Sequence, residues 1–139
     1  MLRGNLMAAH VWLVAGVLPL LVRLVPLPRL LRLLTPRADR RPYAGAEVEE
    51  IAAAVDRQLA DPVHMRRRAC LRKGLTLFHF LRLAGHPAVI QFAVYPPGQQ
   101  DAKMRGHCWV TVGGRDFGDL PDGPSTTVWR HGDEGDGAP

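Results

Sequence analysis

The sequence predicts an α+β domain, and three observations lead there. Apolar residues recur at helical spacing through residues 46–60 and again through 70–84. Strand-like runs follow at 87–95 and 107–112. Gly113-Gly114 then turns the second run into a third. Helices first and a small antiparallel sheet after them make an α+β order. At 139 residues the chain holds one domain at most, and 47% hydrophobic residues are enough for a core.

Residues 4–22, "GNLMAAHVWLVAGVLPLLV", contain no Asp, Glu, Lys or Arg, and their length is about that of a membrane span. Asn5, His10 and Pro19 weaken that reading. No small-residue cleavage site marks a signal peptide. "RLVPLPRLLRLL" follows, amphipathic and basic. Three fates stay open for this segment: packing against the domain or a partner, lying on a membrane surface, or crossing the membrane. "TPRADRRPYAG" (35–45) reads as a linker.

Residues 46–60, "AEVEEIAAAVDRQLA", form a helix with acids in the first turn, where the helix dipole favours them. Val48, Ile51, Ala52, Val55 and Leu59 make its apolar stripe, and Pro62 ends it. Residues 70–84, "CLRKGLTLFHFLRLA", are apolar on nearly every side, which predicts a central buried helix stopped by Gly85. "PAVIQFAVY" is a strand, "PPGQQDAKMRG" a polar loop, "HCWVTV" a second strand and "RDFGDL" a third. "HGDEGDGAP" reads as a disordered tail over 131–139.

Charge is uneven along the chain. Residues 1–45 carry seven arginines against Asp39 alone, and 116–139 carry six acids against Arg130. The arginines are not interleaved with aromatics, and no helix-turn-helix or zinc-finger spacing is present, so nucleic acid is not the expected partner. Two cysteines make no disulfide framework, and with scattered histidines they make no metal site. A reducing cytoplasm is the expected setting, with peripheral membrane contact left open by the N-terminal segment.

The two cysteines separate on geometry. On a strand, alternate side chains share a face. His107, Trp109 and Thr111 therefore share one face, and Cys108, Val110 and Val112 the other, apolar one. Cys108 is expected to be a small core residue. Cys70 opens the central helix, where unpaired backbone N–H groups and the dipole stabilise a thiolate. Arg66, Arg67, Arg68, Arg72 and Lys73 add positive charge nearby. A bland helix-start cysteine would look the same. What favours a nucleophile is the rest of the set: His107 at a strand start to move the proton, and Asp119 on the next strand to orient the imidazole. Cysteine on a helix N-terminus with histidine and aspartate on strands is the papain and transglutaminase arrangement.

"CLRKGLTLFHFLRLAGHPAVIQFAV", the polar loop and "GHCWVTVGGRDFGD", in that order, resemble the lasso-peptide leader peptidases, a group of transglutaminase-like cysteine peptidases. The resemblance covers about residues 46–122, and the basic, leucine-rich N-terminus is also typical. It rests on a Cys-Leu helix start, a strand, His-x-Trp, and an aspartate twelve positions after the histidine. Lys73 and Gly74 stand where relatives often have arginine and a small residue, and Cys108 replaces a usual alanine. The resemblance implies Cys70 as nucleophile, His107 as general base and acid, and Asp119 as the orienting carboxylate. It also implies removal of the leader from a precursor peptide, so that a separate ATP-using cyclase can close the core. Acyl transfer or deamidation on the same residues is the alternative within enzymes, and a non-catalytic membrane-associated module the alternative outside them. No cofactor is implied.

The expected organisation is a basic helical segment and linker over 1–45, a transglutaminase-like peptidase domain over 46–130 and the tail. Residues 1–45 lack the alternating strands of a leader-binding module, so a separate leader-binding protein is expected as partner, beside the precursor and the cyclase. One register question is internal. A strict two-residue turn at Gly113-Gly114 would set Asp119 opposite Cys108, on the wrong face. A bulge at Arg115 would set it opposite Trp109, beside His107. The expectation is therefore the bulge or an early end to the ladder, with Asp116 as the lesser candidate. His10, His64, His79, His86 and His131 have no partner pattern that points to chemistry.

Overall fold

The computed structural model describes residues 2–37, 39–60, 69–94, 106–118 and 126–132. Among them are four helices, α1 (Leu2–Leu24), α2 (Leu27–Leu34), α3 (Val48–Leu59) and α4 (Ala69–Leu83). Four strands follow, β1 (Val89–Val94), β2 (Gly106–Val112), β3 (Arg115–Gly118) and β4 (Thr126–His131). They form one antiparallel sheet in the order β3-β2-β1-β4. The expected α+β class is what the chain adopts.

The helices form where the apolar spacing places them. In α3 the side chains of Ile51, Ala54, Val55 and Leu59 are buried, while Val48 and Ala52 pack partly against the core. Leu75, Leu77, Phe78, Phe80 and Leu81 of α4 are at most 2% exposed. Such burial on most sides is what a helix without a polar face requires. Gly85, at φ 88°, ends α4 in a left-handed residue. The amides of Gly85 and His86 reach back to the carbonyls of Arg82 and Leu81, which closes the last turn.

The N-terminal helices share this core. Met7, Val11, Ala15 and Leu18 of α1 and Leu30 and Leu31 of α2 are at most 2% exposed and belong to the same cluster as Phe78 and Ile90. Polar contacts reinforce the packing. His10 Nδ1 lies 2.8 Å from the Tyr43 hydroxyl, and His79 Nδ1 donates to the Leu34 carbonyl at 2.7 Å. Residues 35–47 contain no helix or strand among those described, as the linker reading expects, yet Tyr43 is 7% exposed and its amide bonds the Leu83 carbonyl.

Two expectations need correction. "TTVWRH" gives no strand in the sequence reading, but it forms β4 and pairs with β1. His131 therefore belongs to the sheet and not to a tail, and its Nε2 lies 3.0 Å from Thr35 Oγ1. Residues 133–139, the rest of the expected tail, lie outside the described residues. The second correction concerns the bulge at Arg115, one of the two alternatives expected there; the other, an early end to the ladder, falls on residues from 119 on, outside the described residues. The pairs are Val112↔Arg115, Thr111↔Asp116, Val110↔Phe117 and Trp109↔Gly118, with no shift. Gly113 and Gly114 both have positive φ, 58° and 81°, and so supply the two left-handed residues of a tight hairpin turn.

Candidate functional site

Alternation along β2 settles which of its residues meet the helices. Cys108 pairs with Phe92 and Val110 with Ile90, and this face packs on α4. Cys108 is 2% exposed, and a β-carbon on Gly74 of α4 would stand 2.4 Å from its sulphur. Cys108 is thus the core residue expected of it. His107, Trp109 and Thr111 occupy the opposite face, paired with Ala93, Gln91 and Val89 of β1.

Contacts along α4 give its direction relative to the sheet. Gly74 faces Cys108 and Ile90. Two turns on, Arg82 donates from Nε to the Ala88 carbonyl at 3.0 Å and from its terminal nitrogen to the Gly132 carbonyl. Ala88 directly precedes β1, whose Val89 pairs with Thr111 near the far end of β2. The contact zone therefore moves from residue 108 toward residue 111 as α4 proceeds, so α4 and β2 run the same way. The first turn of α4 lies at the end of the sheet where β2 begins, which is the end carrying His107.

Cys70 is the second residue of α4, one turn before Gly74, a rise of about 6 Å. No acidic residue sits in that first turn to offset the positive end of the helix. Arg72 is 8% exposed, and burial holds its pKa below the ordinary value. Lys73 is paired with Asp56 of α3 at 3.0 Å, so part of its charge is committed there. Arg66, Arg67 and Arg68 lie outside the described residues. A cleft of about 690 Å³ opens between the C-terminal half of α1 and this first turn, walled by Leu18, Leu20, Val22, Arg23, Leu71 and Arg72. Leu71 and Arg72 are the two residues that follow Cys70.

Asp119 lies outside the described residues. The strand before it ends at Gly118, whose φ of 102° is not that of an extended strand. Asp116, the lesser candidate, accepts a 2.7 Å hydrogen bond from Thr111 Oγ1. Thr111 stands four residues along β2 from His107, a strand rise of about 13 Å. Asp116 is therefore held well away from the imidazole.

The sequence reading missed the partner of that bond. Gln91 Nε2 donates to Thr111 Oγ1 at 2.6 Å, so Gln91, Thr111 and Asp116 form one polar row across β1, β2 and β3 on the His107 face. The signal that could have found it is the pairing rule, since a polar residue in each of three neighbouring strands on one face invites cross-strand bonds.

No curated protein and no solved structure gives a significant match to the chain. The sequence model of the transglutaminase-like superfamily matches residues 12–127, from within α1 to the start of β4, and the protein belongs to that superfamily.

Proposed function

We propose that the protein is a cysteine peptidase that removes the leader from a lasso-peptide precursor. The observation that carries the reading is directional: α4 runs with β2, so the turn holding Cys70 lies at the sheet end that holds His107. Membership of the transglutaminase-like superfamily is consistent with cysteine peptidase or acyl transfer chemistry. The lasso-peptide role rests on the resemblance of the Cys-Leu helix start and the His-x-Trp strand.

In this reading the Cys70 thiolate attacks the carbonyl joining leader to core. The oxyanion is held by backbone N–H groups at the start of α4, which have no partner within the helix. His107 takes the thiol proton and returns it to the departing amine of the core. Water then releases the leader from the thioester, with His107 as base. Asp119 fixes the imidazole tautomer and stabilises its protonated form. A separate leader-binding protein presents the precursor, and a separate ATP-using cyclase consumes the freed amine.

The experiment is precursor cleavage with the leader-binding protein present, followed by mass spectrometry. Hydrolysis gives two fragments whose masses sum to that of the precursor plus one water. A crosslinked or deamidated product would replace hydrolysis with another acyl transfer. Native protein treated with a haloacetamide should carry the adduct on Cys70, and Cys70→Ala should keep its fold and lose cleavage. An active Cys70→Ala protein would remove the peptidase reading altogether.

A further inference from the structure

The outer side of α1 is apolar where a surface helix is ordinarily polar. Leu6, Trp12, Leu13, Val17, Leu20 and Leu24 are between 39% and 70% exposed. Leu6, Leu13, Val17, Leu20 and Leu24 recur at spacings of seven, four, three and four, which puts them on one side of the helix, with Trp12 on its flank. Ala9 and Gly16, also exposed, fill the gaps between them. The stripe runs for about 27 Å at the helical rise. Its opposite face, Met7, Val11, Ala15 and Leu18, is locked into the core. The helix is apolar on both sides, and one of them faces outward.

The charge around the stripe selects its occupant. No Asp or Glu occurs before Asp39. Arg23, at the C-terminal end of the stripe, and Arg29 and Arg32 on α2 are all exposed. Leu33 of α2, next to Arg32, is also 66% exposed. An acid-free apolar strip with an arginine at its C-terminal end, followed in the chain by a short helix with two more exposed arginines, matches a bilayer surface of anionic lipid. The side chains enter the acyl boundary and the guanidinium groups meet headgroup phosphates. Within Gly4–Leu24 the chain is long and apolar enough to cross a membrane by length and composition. Crossing would strip Val11, Ala15 and Leu18 from the core, whereas lying in the interface leaves that packing whole.

We infer that α1 docks the folded protein on an anionic membrane, lying in the interface along the Leu6–Leu24 stripe with Arg23, Arg29 and Arg32 at the headgroups. The inference is independent of the peptidase reading. The cleft beside the first turn of α4 shares Leu20 and Arg23 with the stripe, so docking sets that cleft at the membrane surface.

The test is flotation of the full-length protein with vesicles of phosphatidylcholine alone and of phosphatidylcholine containing a quarter phosphatidylglycerol. Binding to the anionic vesicles should be at least tenfold stronger, at ~1 kcal/mol for each arginine near the surface. Arg29→Glu with Arg32→Glu should weaken it by at least ~25-fold on the same scale. Leu13→Gln with Leu20→Gln should abolish binding while leaving the circular dichroism spectrum and melting temperature close to those of the parent, because both side chains are exposed. Alkaline carbonate should release the bound protein. Retention through carbonate would mean a span and overturn the inference. So would equal binding to both vesicles, no binding by folded protein, or a dimer in light scattering that the leucine variants split.

Discussion

A β-carbon on Gly74 would stand 2.4 Å from the sulphur of Cys108, closer than unbonded atoms pack. The two positions are one packing unit, a residue without a side chain accepting a bulky neighbour. Gly74→Ala should gain about 1 kcal/mol of helix propensity and lose about 1–3 kcal/mol to overpacking. The net expected effect is destabilisation. Cys108→Ala in the same chain should recover most of it, a coupling that denaturant unfolding of the two single variants and the double variant would measure. A Gly74→Ala protein more stable than the parent would show that the sulphur moves aside freely.

The two aspartates of the third strand region should separate cleanly. Asp119→Asn is expected to reduce cleavage by about 10²–10⁴ with the fold retained, by analogy with carboxylate loss in a serine triad. Asp116→Asn should leave cleavage near the parent rate, since its carboxylate is engaged by Thr111. Single-turnover cleavage by both variants decides this, and a crippled Asp116→Asn protein would reassign the orienting role.

Deleting residues 1–36 should unfold the protein. It removes Leu30 and Leu31, each 0% exposed, together with the buried face of α1. Burial of each large side chain contributes about 1.5–3 kcal/mol, and a whole domain is stable by only about 5–15 kcal/mol. Near-ultraviolet circular dichroism should lose its tertiary signal. A soluble truncated protein with a cooperative melt would mean that the remaining elements hold a core of their own.

Acid should destabilise the protein through His79. Burial holds its pKa below the ordinary 6.5, with the neighbouring His10 acting in the same direction and the bond to the Leu34 carbonyl opposing both. His10 is itself lowered by burial. Below about pH 6.5 the unfolded chain binds protons that the folded one refuses. Stability from these groups is therefore intact above that pH and lost as pH falls beneath it. Melting temperatures between about pH 7.5 and pH 5 should decline, and His79→Gln should flatten the decline. An unchanged slope in that variant would take the acid sensitivity away from His79 and leave it to His10 or the carboxylates.

The parts of this fold that show in the sequence are those where periodicity and burial agree. α3 and α4 have helical spacing and clean stops, and "HCWVTVGGRDFG" gives two strands and their turn. β4 escaped because its Thr126, Thr127 and Val128 are exposed, so "TTVW" lacks the apolar alternation of a half-buried strand, although its β-branched and aromatic residues fit one. The place of α1 was ambiguous for the opposite reason. A helix apolar all round has no face to tell core from membrane. For the candidate site, the helix start at Cys70 and the strand position of His107 could be read directly. The hairpin register could not, because a glycine pair accepts either turn and the choice shifts every later side chain to the other face.

The contact between Thr35 and His131 joins residues 96 positions apart, and the last described strand lies beside the first one in the sheet. Such long-range closure sets the order of events in folding. β1 has no second neighbour until residue 131 has been synthesised, and at about 5–20 residues per second the chain waits several seconds between making β1 and receiving β4. Helices α1 to α4 can gather during that interval, since their contacts are nearer in sequence. The sheet and its tie to α2 belong to a later, slower step of high contact order. Until that step one hydrogen-bonding edge of β1 stays open to other chains, so the yield of folded protein should depend on how quickly the C-terminal strand arrives.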